Sequence, residues 1–325
     1  MSFKVTVQPS NRTFQTQQHE SLLDEAMREG LNLAHQCMSG SCGGCQALLL
    51  KGDITQIRHY DFKLPAAEAD KQPFLVCCYQ ASSDLVIQMH EIDDVAEIPH
   101  QQIACKVSRI DQLNPDVFAV QLKTPRTQIL EFLAGQRVDI KFAQHTLNLG
   151  IASCPCDGMN VRFHLDKKVT QQAQVLKSLR KGAKISIEGP TGQLTLNEGQ
   201  NNPLVFMAFE TGFAQIQSLV DHVISIDDDR PIYLVCLTRS SVGFYKENHC
   251  RAWRDVLDNF DYDIVYLPDQ YHADFPLLLN RLTSKLFRFP DSEIYSVLPM
   301  DLITPLQNLC HEHDLNNEQL FVEAL

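Results

Sequence analysis

What this chain lacks narrows it first. In 325 residues there is no run of 18 apolar residues, so no bilayer-spanning helix is predicted. The opening Met1-Ser2-Phe3-Lys4-Val5-Thr6-Val7 alternates like a strand and has none of the apolar stretch of a secretory leader. Basic residues are scarce: 28 Lys and Arg face 40 Asp and Glu, a net charge of −12. That balance disfavours nucleic acid or an anionic membrane as partner and suits a basic protein partner. Internal repeats and low-complexity tracts are absent. Cysteine is the exception to this thrift. Eleven cysteines without a secretory leader predict a reducing, cytoplasmic setting and no disulfide framework.

Four of the cysteines stand apart by spacing. Cys37, Cys42 and Cys45 follow C-x4-C-x2-C within Cys37-Met38-Ser39-Gly40-Ser41-Cys42-Gly43-Gly44-Cys45, and Cys77 follows 32 residues later. A loop that wraps a binuclear iron–sulfur cluster must place three sulfurs within a few residues. Gly40, Gly43 and Gly44 permit the tight turns this needs. The Ser39 and Ser41 hydroxyls and backbone N–H groups can bond to the sulfurs. A fourth thiolate must come from elsewhere in the chain. Zinc sites more often use two C-x2-C pairs, and only one such pair exists here. Cys154-Pro155-Cys156 and Cys310-His311-Glu312-His313 each lack a separated second ligand group, so no second metal site is expected.

Cys77 and Cys78 compete for the fourth place. Pro73-Phe74-Leu75-Val76 reads as a short strand, which would turn the two side chains to opposite faces. The cysteine spacing resembles that of plant-type ferredoxins, which hold a [2Fe–2S] cluster. The resemblance favours Cys77, because those proteins have Leu-x-Cys here and Leu75 precedes Cys77 by two. The resulting ligand set is Cys37, Cys42, Cys45 and Cys77.

The rhythm of the chain predicts three units and a linker. Residues 1–92 carry a hairpin around Pro9-Ser10-Asn11, a helix opened by Ser21 and stopped by Gly30, the cysteine loop, a strand 46–50 and a closing strand 84–89. Glu20, Asp24, Glu25 and Glu29 are expected to expose an acidic patch on that helix. The whole unit resembles the β-grasp of plant-type ferredoxins. Residues 93–100 read as a polar linker beginning at Asp93. Residues 101–198 hold short strands, 104–110, 118–123, 138–142, 160–165 and 184–187, suggesting an antiparallel barrel with a helical turn at 175–179. Residues 199–325 alternate apolar strands, 204–208, 232–237, 264–267, 294–298 and 320–322, with helix-length segments, the pattern of a doubly wound parallel sheet.

This order resembles the ferredoxin–flavin reductase family, the reductase components of bacterial oxygenases. Its echoes are Ala134-Gly135-Gln136, Glu188-Gly189-Pro190-Thr191-Gly192 and Pro203-Leu204-Val205-Phe206-Met207-Ala208. The resemblance implies NADH, FAD and a [2Fe–2S] cluster in series. The chain departs from the family at its ligand contacts. Where the family has Arg-x-Tyr-Ser/Thr for FAD, this sequence has Leu147, Leu149 and Gly150. No glycine falls in Val169-Thr170-Gln171-Gln172, opposite the family's pyrophosphate contact. The family's Gly-Gly-Thr-Gly is Phe209-Glu210-Thr211-Gly212, placing a carboxylate that can itself satisfy the helix N-terminus. Cys-Gly-Pro becomes Val297-Leu298-Pro299, and the end is Glu323-Ala324-Leu325 in place of an aromatic residue. Arg239 and Tyr245 resemble family positions near the nucleotide.

These departures argue against FAD and NAD(P)H in the usual mode. The leading reading is an electron carrier whose ferredoxin head serves an oxygenase component or an external reductase. Two others stand beside it: an FAD-dependent NAD(P)H reductase component, and a non-catalytic redox sensor or assembly protein.

Overall fold

The structure is a computed structural model that describes residues 2–17, 19–35, 37–65, 71–92, 94–125, 128–157, 159–240, 243–267, 275 and 289–325. Asp93, the first linker residue of the sequence reading, lies outside them.

The first unit is built on strands β1 (Lys4–Gln8) and β2 (Thr13–Gln15), helix α1 (Leu22–Arg28), then β3 (Gln46–Lys51), β4 (Ile54–Gln56), β5 (Gln72–Leu75), β6 (Tyr79–Ala81) and β7 (Leu85–Gln88). Five of these strands form one sheet in the order β2-β1-β7-β3-β5, and β4 pairs with β6 beside it. β1 and β7 run parallel and the other neighbours antiparallel, a β-grasp. The Ser21 hydroxyl accepts the Asp24 N–H at 3.2 Å and starts α1. Gly30, at φ 73°, ends it, with Leu31 N–H closing onto Ala26 O at 2.9 Å. Between these stops Leu22, Leu23 and Ala26 are fully buried against the sheet.

The acidic patch differs from expectation. Glu25 is buried, accepting from Gln17 N–H at 2.8 Å and Arg28 at 2.7 Å. Arg28 also pairs with Glu20, so a cation sits within the supposed acidic face.

The second unit comprises β8 (Gln101–Gln112), β9 (Val117–Lys123), β10 (Arg137–Phe142), β11 (His145–Gly150), β12 (Asn160–Asp166), α2 (Thr170–Ser178) and β13 (Lys184–Thr191). Its antiparallel sheet runs β11-β10-β13-β8-β9-β12. Ile103, Val120, Val138, Leu147, Phe163 and Ile187, one from each strand, meet in a single core, so the sheet curls as a half barrel. β11 was not among the strands named from the chain's rhythm, although its residues align with a family motif. Its buried Leu147 and Leu149 alternate with exposed Thr146 and Asn148, the period of a half-buried strand. α2 is longer than the helical turn expected at 175–179.

The third unit alternates β14 (Leu204–Phe209), α3 (Phe213–Ser225), β15 (Ile232–Thr238), α4 (Glu247–Val256), β16 (Phe260–Tyr266), β17 (Glu293–Leu298), α5 (Met300–Glu312) and β18 (Leu320–Ala324). All strands are parallel in the order β16-β15-β14-β17-β18. α3 and α4 cover one face and α5 the other, so every β14 residue is buried. The order reverses between β14 and β17, where doubly wound sheets form their ligand crevice.

The first unit is fastened to the others by specific contacts. Ile129 belongs to the first unit's core. Arg12 donates to Glu91 at 3.3 Å and to Glu198 at 3.0 Å. The buried Glu131 carboxylate accepts the His35 N–H at 3.1 Å, two residues before Cys37. Burial is the main cause that raises the Glu131 pKa, to about 7.

Candidate metal centre and the cleft beside it

The cysteine loop leaves α1 and runs into β3. Gln46 pairs with Leu75 across β3 and β5, and Val76 N–H donates to Cys45 O at 3.1 Å. This register brings the Cys45 and Cys77 sulfurs to 3.1 Å, both fully buried. At the other end of the loop the Cys37 sulfur accepts from Cys42 N–H and the Ser41 hydroxyl, each at 3.4 Å. The Cys42 sulfur accepts from Gly44 N–H at 3.3 Å. Among the described residues no three His, Cys, Asp or Glu side chains converge as a metal-holding group. Cys45 and Cys77 are in sulfur contact, with Cys78 beside Cys77, while Cys37 and Cys42 lie at the other end of the loop.

The glycines have a defined use. Gly43 lies at φ 76°, and a Cβ on it would come 2.2 Å from the Phe62 ring. A Cβ on Gly40, at φ 75°, would meet Tyr60 at 2.5 Å and the Cys78 sulfur at 2.6 Å. Only glycine allows the loop to pass under this aromatic cover.

Acidities follow the contacts. Burial pushes the Cys37 thiol up, but hydrogen bonds from Cys42, Ser41 and Ser39 outweigh it and bring the pKa down to about 5. The hydrogen bond from Cys45 lowers Cys77, to about 7, and correspondingly raises Cys45. Burial raises Cys78 to about 12.

Strand alternation does not separate Cys77 from Cys78. The strand ends at Leu75, and Val76–Cys78 forms a 3-10 turn, so strand alternation does not apply. The Cys78 sulfur lies 3.5 Å from that of Cys77 and faces Gly40 of the loop. What distinguishes Cys77 is its contact with Cys45. Elsewhere, Cys154 and Cys156 are joined in a disulfide, a departure from a chain of unpaired cysteines. Cys310 is buried in α5 while His311 is exposed, so that motif does not converge.

A second feature is a cleft of about 410 Å³ between the half barrel and the parallel sheet. Leu149, Gly150, Gln172, Phe209, Glu210 and Leu325 are among its lining residues. Leu147 and Leu149 are packed in the apolar cluster that also holds Val175 of α2 and Leu179. A Cβ on Gly150 would lie 2.3 Å from Gln215 Cγ. Gln215 is itself fixed, donating to Gly135 O at 2.7 Å and to Glu323 at 3.1 Å. Arg137 ties down the last strand through Glu323 at 3.3 Å and Ala324 O at 2.6 Å.

Glu210 sits in the turn after β14 at φ 45°, which is unusual for a non-glycine residue. Its carboxylate accepts Arg239 N–H at 2.6 Å and the Thr238 hydroxyl at 3.4 Å. It therefore serves the end of β15, and not the N-terminus of its own helix as the sequence suggested. Burial raises its pKa. The Arg239 guanidinium lies 5.0 Å from the Phe209 ring centroid. Tyr245 bonds to His164 Nδ1 at 2.9 Å.

Sequence reading missed Arg58, Tyr60, Phe62, Gln215 and the Arg137–Glu323 pair. None has a local signature. Each matters through a partner distant in sequence.

Comparison with known proteins agrees with this architecture. Residues 5–82 match the family described as 2Fe-2S iron-sulfur cluster binding domain. Over 330 residues the chain is 27% identical to CDP-6-deoxy-L-threo-D-glycero-4-hexulose-3-dehydrase reductase of Yersinia pestis, covering 100% of this chain and 98% of that protein. It is 23% identical over 336 residues to the reductase component of propane 2-monooxygenase of Gordonia sp. strain TY-5, covering 98% and 96%. Among solved structures, a ferredoxin reductase in carbazole 1,9a-dioxygenase superposes with TM-score 0.59 at 19% identity, covering 100% of this chain and 98% of that one. The chain is thus a ferredoxin domain of the 2Fe-2S type joined to a reductase-like body. Its relatives are reductases and reductase components.

Proposed function

We propose that this protein is a [2Fe–2S] electron carrier for an oxygenase-type redox partner, with a reductase-like body that holds neither FAD nor NAD(P)H in the usual mode. Cys37, Cys42, Cys45 and Cys77 are the ligands. The observation that carries the first half is the contact of the Cys45 and Cys77 sulfurs, with Cys42 N–H directed at the Cys37 sulfur at the other end of the loop, since each iron takes two thiolates. The donor set fits the group: buried sulfur, acidic thiol at Cys37, and N–H groups already directed at Cys37 and Cys42. When bound, the cluster supplies one-electron transfer. The chain's part is to bury the sulfurs, hold them by backbone N–H groups and cover the loop with Tyr60 and Phe62. The relatives named for an oxygenase system support a partner of that kind, and this reading places its docking surface on the ferredoxin unit.

The second half rests on the cleft. Leu147 gives no cation for a phosphate and Leu149 no aromatic ring for a flavin. Gly150 gives no hydroxyl, and Gln215 occupies the space beside it. The Glu210 carboxylate puts negative charge beside the crevice where a diphosphate would lie. Arg137, Lys168 and Arg239 also line the cleft, but the leucines, Gly150 and Gln215 leave no flavin contact of the usual kind, which is the ground for this reading. We divide the molecule at 1–92, 101–198 and 199–325, with 93–100 as linker.

A second reading, an FAD-dependent NAD(P)H reductase component, draws on the chain-long likeness to reductases. Reconstitution with iron and sulfide, followed by an NADH challenge without and with added FAD, separates the two. The carrier gains iron, sulfide and a dithionite-dependent paramagnetic signal, and NADH leaves it oxidised. Reduction by NADH with FAD present establishes the reductase.

A further inference from the structure

Residues 57–62, just after β4, lie against the cysteine loop and the 76–78 turn with their backbone and with one cation. Ile57 and Arg58 N–H groups donate to Cys78 O at 2.9 and 3.2 Å. The Arg58 guanidinium donates to Cys77 O at 3.0 Å and also to Met38 O. One side chain therefore bridges the two separate segments that carry the ligands, the 37–45 loop and the 76–78 turn. Arg28 lines the same groove as Arg58, but its charge is engaged by Glu20 and Glu25. Among the described residues Arg58 forms no ion pair with a carboxylate, and its contacts are carbonyls of the cage.

We propose that Arg58 is a positioning residue that sets the reduction potential of the centre, its fixed positive charge favouring the reduced state while its fork holds the two ligand segments in register. This rests on the reading of Cys37, Cys42, Cys45 and Cys77 as cluster ligands. The physical basis is general. Reduction adds one negative charge to a buried group, and a cation held nearby stabilises that form more than the oxidised one. Solvent around the exposed part of the side chain weakens the effect without changing its sign. Arginine can donate to two carbonyls at once, which lysine does with less geometric order.

The test is an equilibrium redox titration of the reconstituted full chain, using dithionite and mediator dyes, read by visible absorbance and the reduced-state paramagnetic signal. Arg58→Gln and Arg58→Met, which remove the charge, are expected to shift the potential to more negative values. Arg58→Lys, which keeps it, should fall between these and the native protein. A loaded neutral variant with the native potential overturns the proposal. If neither neutral variant retains a cluster that Arg58→Lys retains, Arg58 is a structural clamp only and the tuning role fails. A native chain that takes up no cluster from iron and sulfide fails earlier, and refutes the ligand assignment instead.

Discussion

The cysteine loop and the interdomain cleft differ in what their polar groups are aimed at. In the loop, donors are directed at sulfurs: Cys42 and Gly44 N–H groups point at Cys37 and Cys42, and two glycines stay bare so that aromatic rings can pass. In the cleft, several side chains bond to the protein itself. Gln215 closes over Gly150, Glu210 serves the end of β15, and Arg137 holds Glu323 and Ala324. A site prepared for a ligand leaves polar groups converging on a gap. In the cleft that internal use is incomplete: Arg137 Nε and His164 Nε2, on two of its lining residues, are buried without a hydrogen-bond partner among the described residues, and such a group costs about 1–3 kcal/mol.

The most severe way to break the comparison is to remove a sulfur from the prepared side. Cys45→Ala or Cys77→Ala is expected to abolish the reduced-state paramagnetic signal, since thiolates alone hold the cluster. Cys78→Ala should retain it. Signal loss in Cys78→Ala with retention in Cys77→Ala would exchange their roles.

The joint between the regions gives the next effect. Glu131 has its pKa raised to about 7, so its contribution to stability is full below about 4.5 and is lost as pH rises through about 7. Buried His35, whose pKa burial lowers, contributes in the opposite sense, its share being lost as pH falls. Comparing Glu131→Gln with the native protein isolates the carboxylate. Urea unfolding should show the variant gaining up to about 3 kcal/mol relative to native between pH 5 and 8. Parallel pH profiles would mean that the carboxylate is not desolvated.

A smaller change tests the closed side. Gly150→Ser places Cβ against Gln215 and should destabilise by about 1–3 kcal/mol through overpacking. Gln215→Ala in the same chain should recover much of that loss, a positive coupling in a double-mutant cycle. Additive losses would show that the two residues do not meet. The smallest effect is expected on the helix α1 surface. Because Arg28 sits among the acids, changing Glu20, Asp24 and Glu29 to Gln should alter electron-transfer rates and their salt dependence little. A large fall in rate would restore the acidic docking patch.

Much of this was legible in the sequence where one short rule governs. Cysteine spacing, the Ser21 start, the Gly30 stop and the apolar runs of the parallel sheet depend on neighbours along the chain. The half barrel was legible as a class, and β11, unnamed in the strand rhythm, entered only through the alignment of Leu147, Leu149 and Gly150 with a family motif. The turn at Val76–Cys78 was hidden because its residues favour strands, and the pairing of Val76 N–H with Cys45 O bends the chain there. Glu25 was expected in solvent, yet Gln17 N–H and Arg28 supply the partners that let it be buried. The relation of Gly150 to Gln215 joins two units of the fold, and no local pattern announces it.

The contrast between a prepared centre and a closed cleft is tested most directly by calorimetric titration of the cluster-loaded full chain with FAD. The account predicts no binding heat at micromolar concentrations and no flavin retained after gel filtration, with the cluster still reducible by dithionite. Stoichiometric micromolar binding of FAD, followed by cluster reduction on adding NADH, would contradict it.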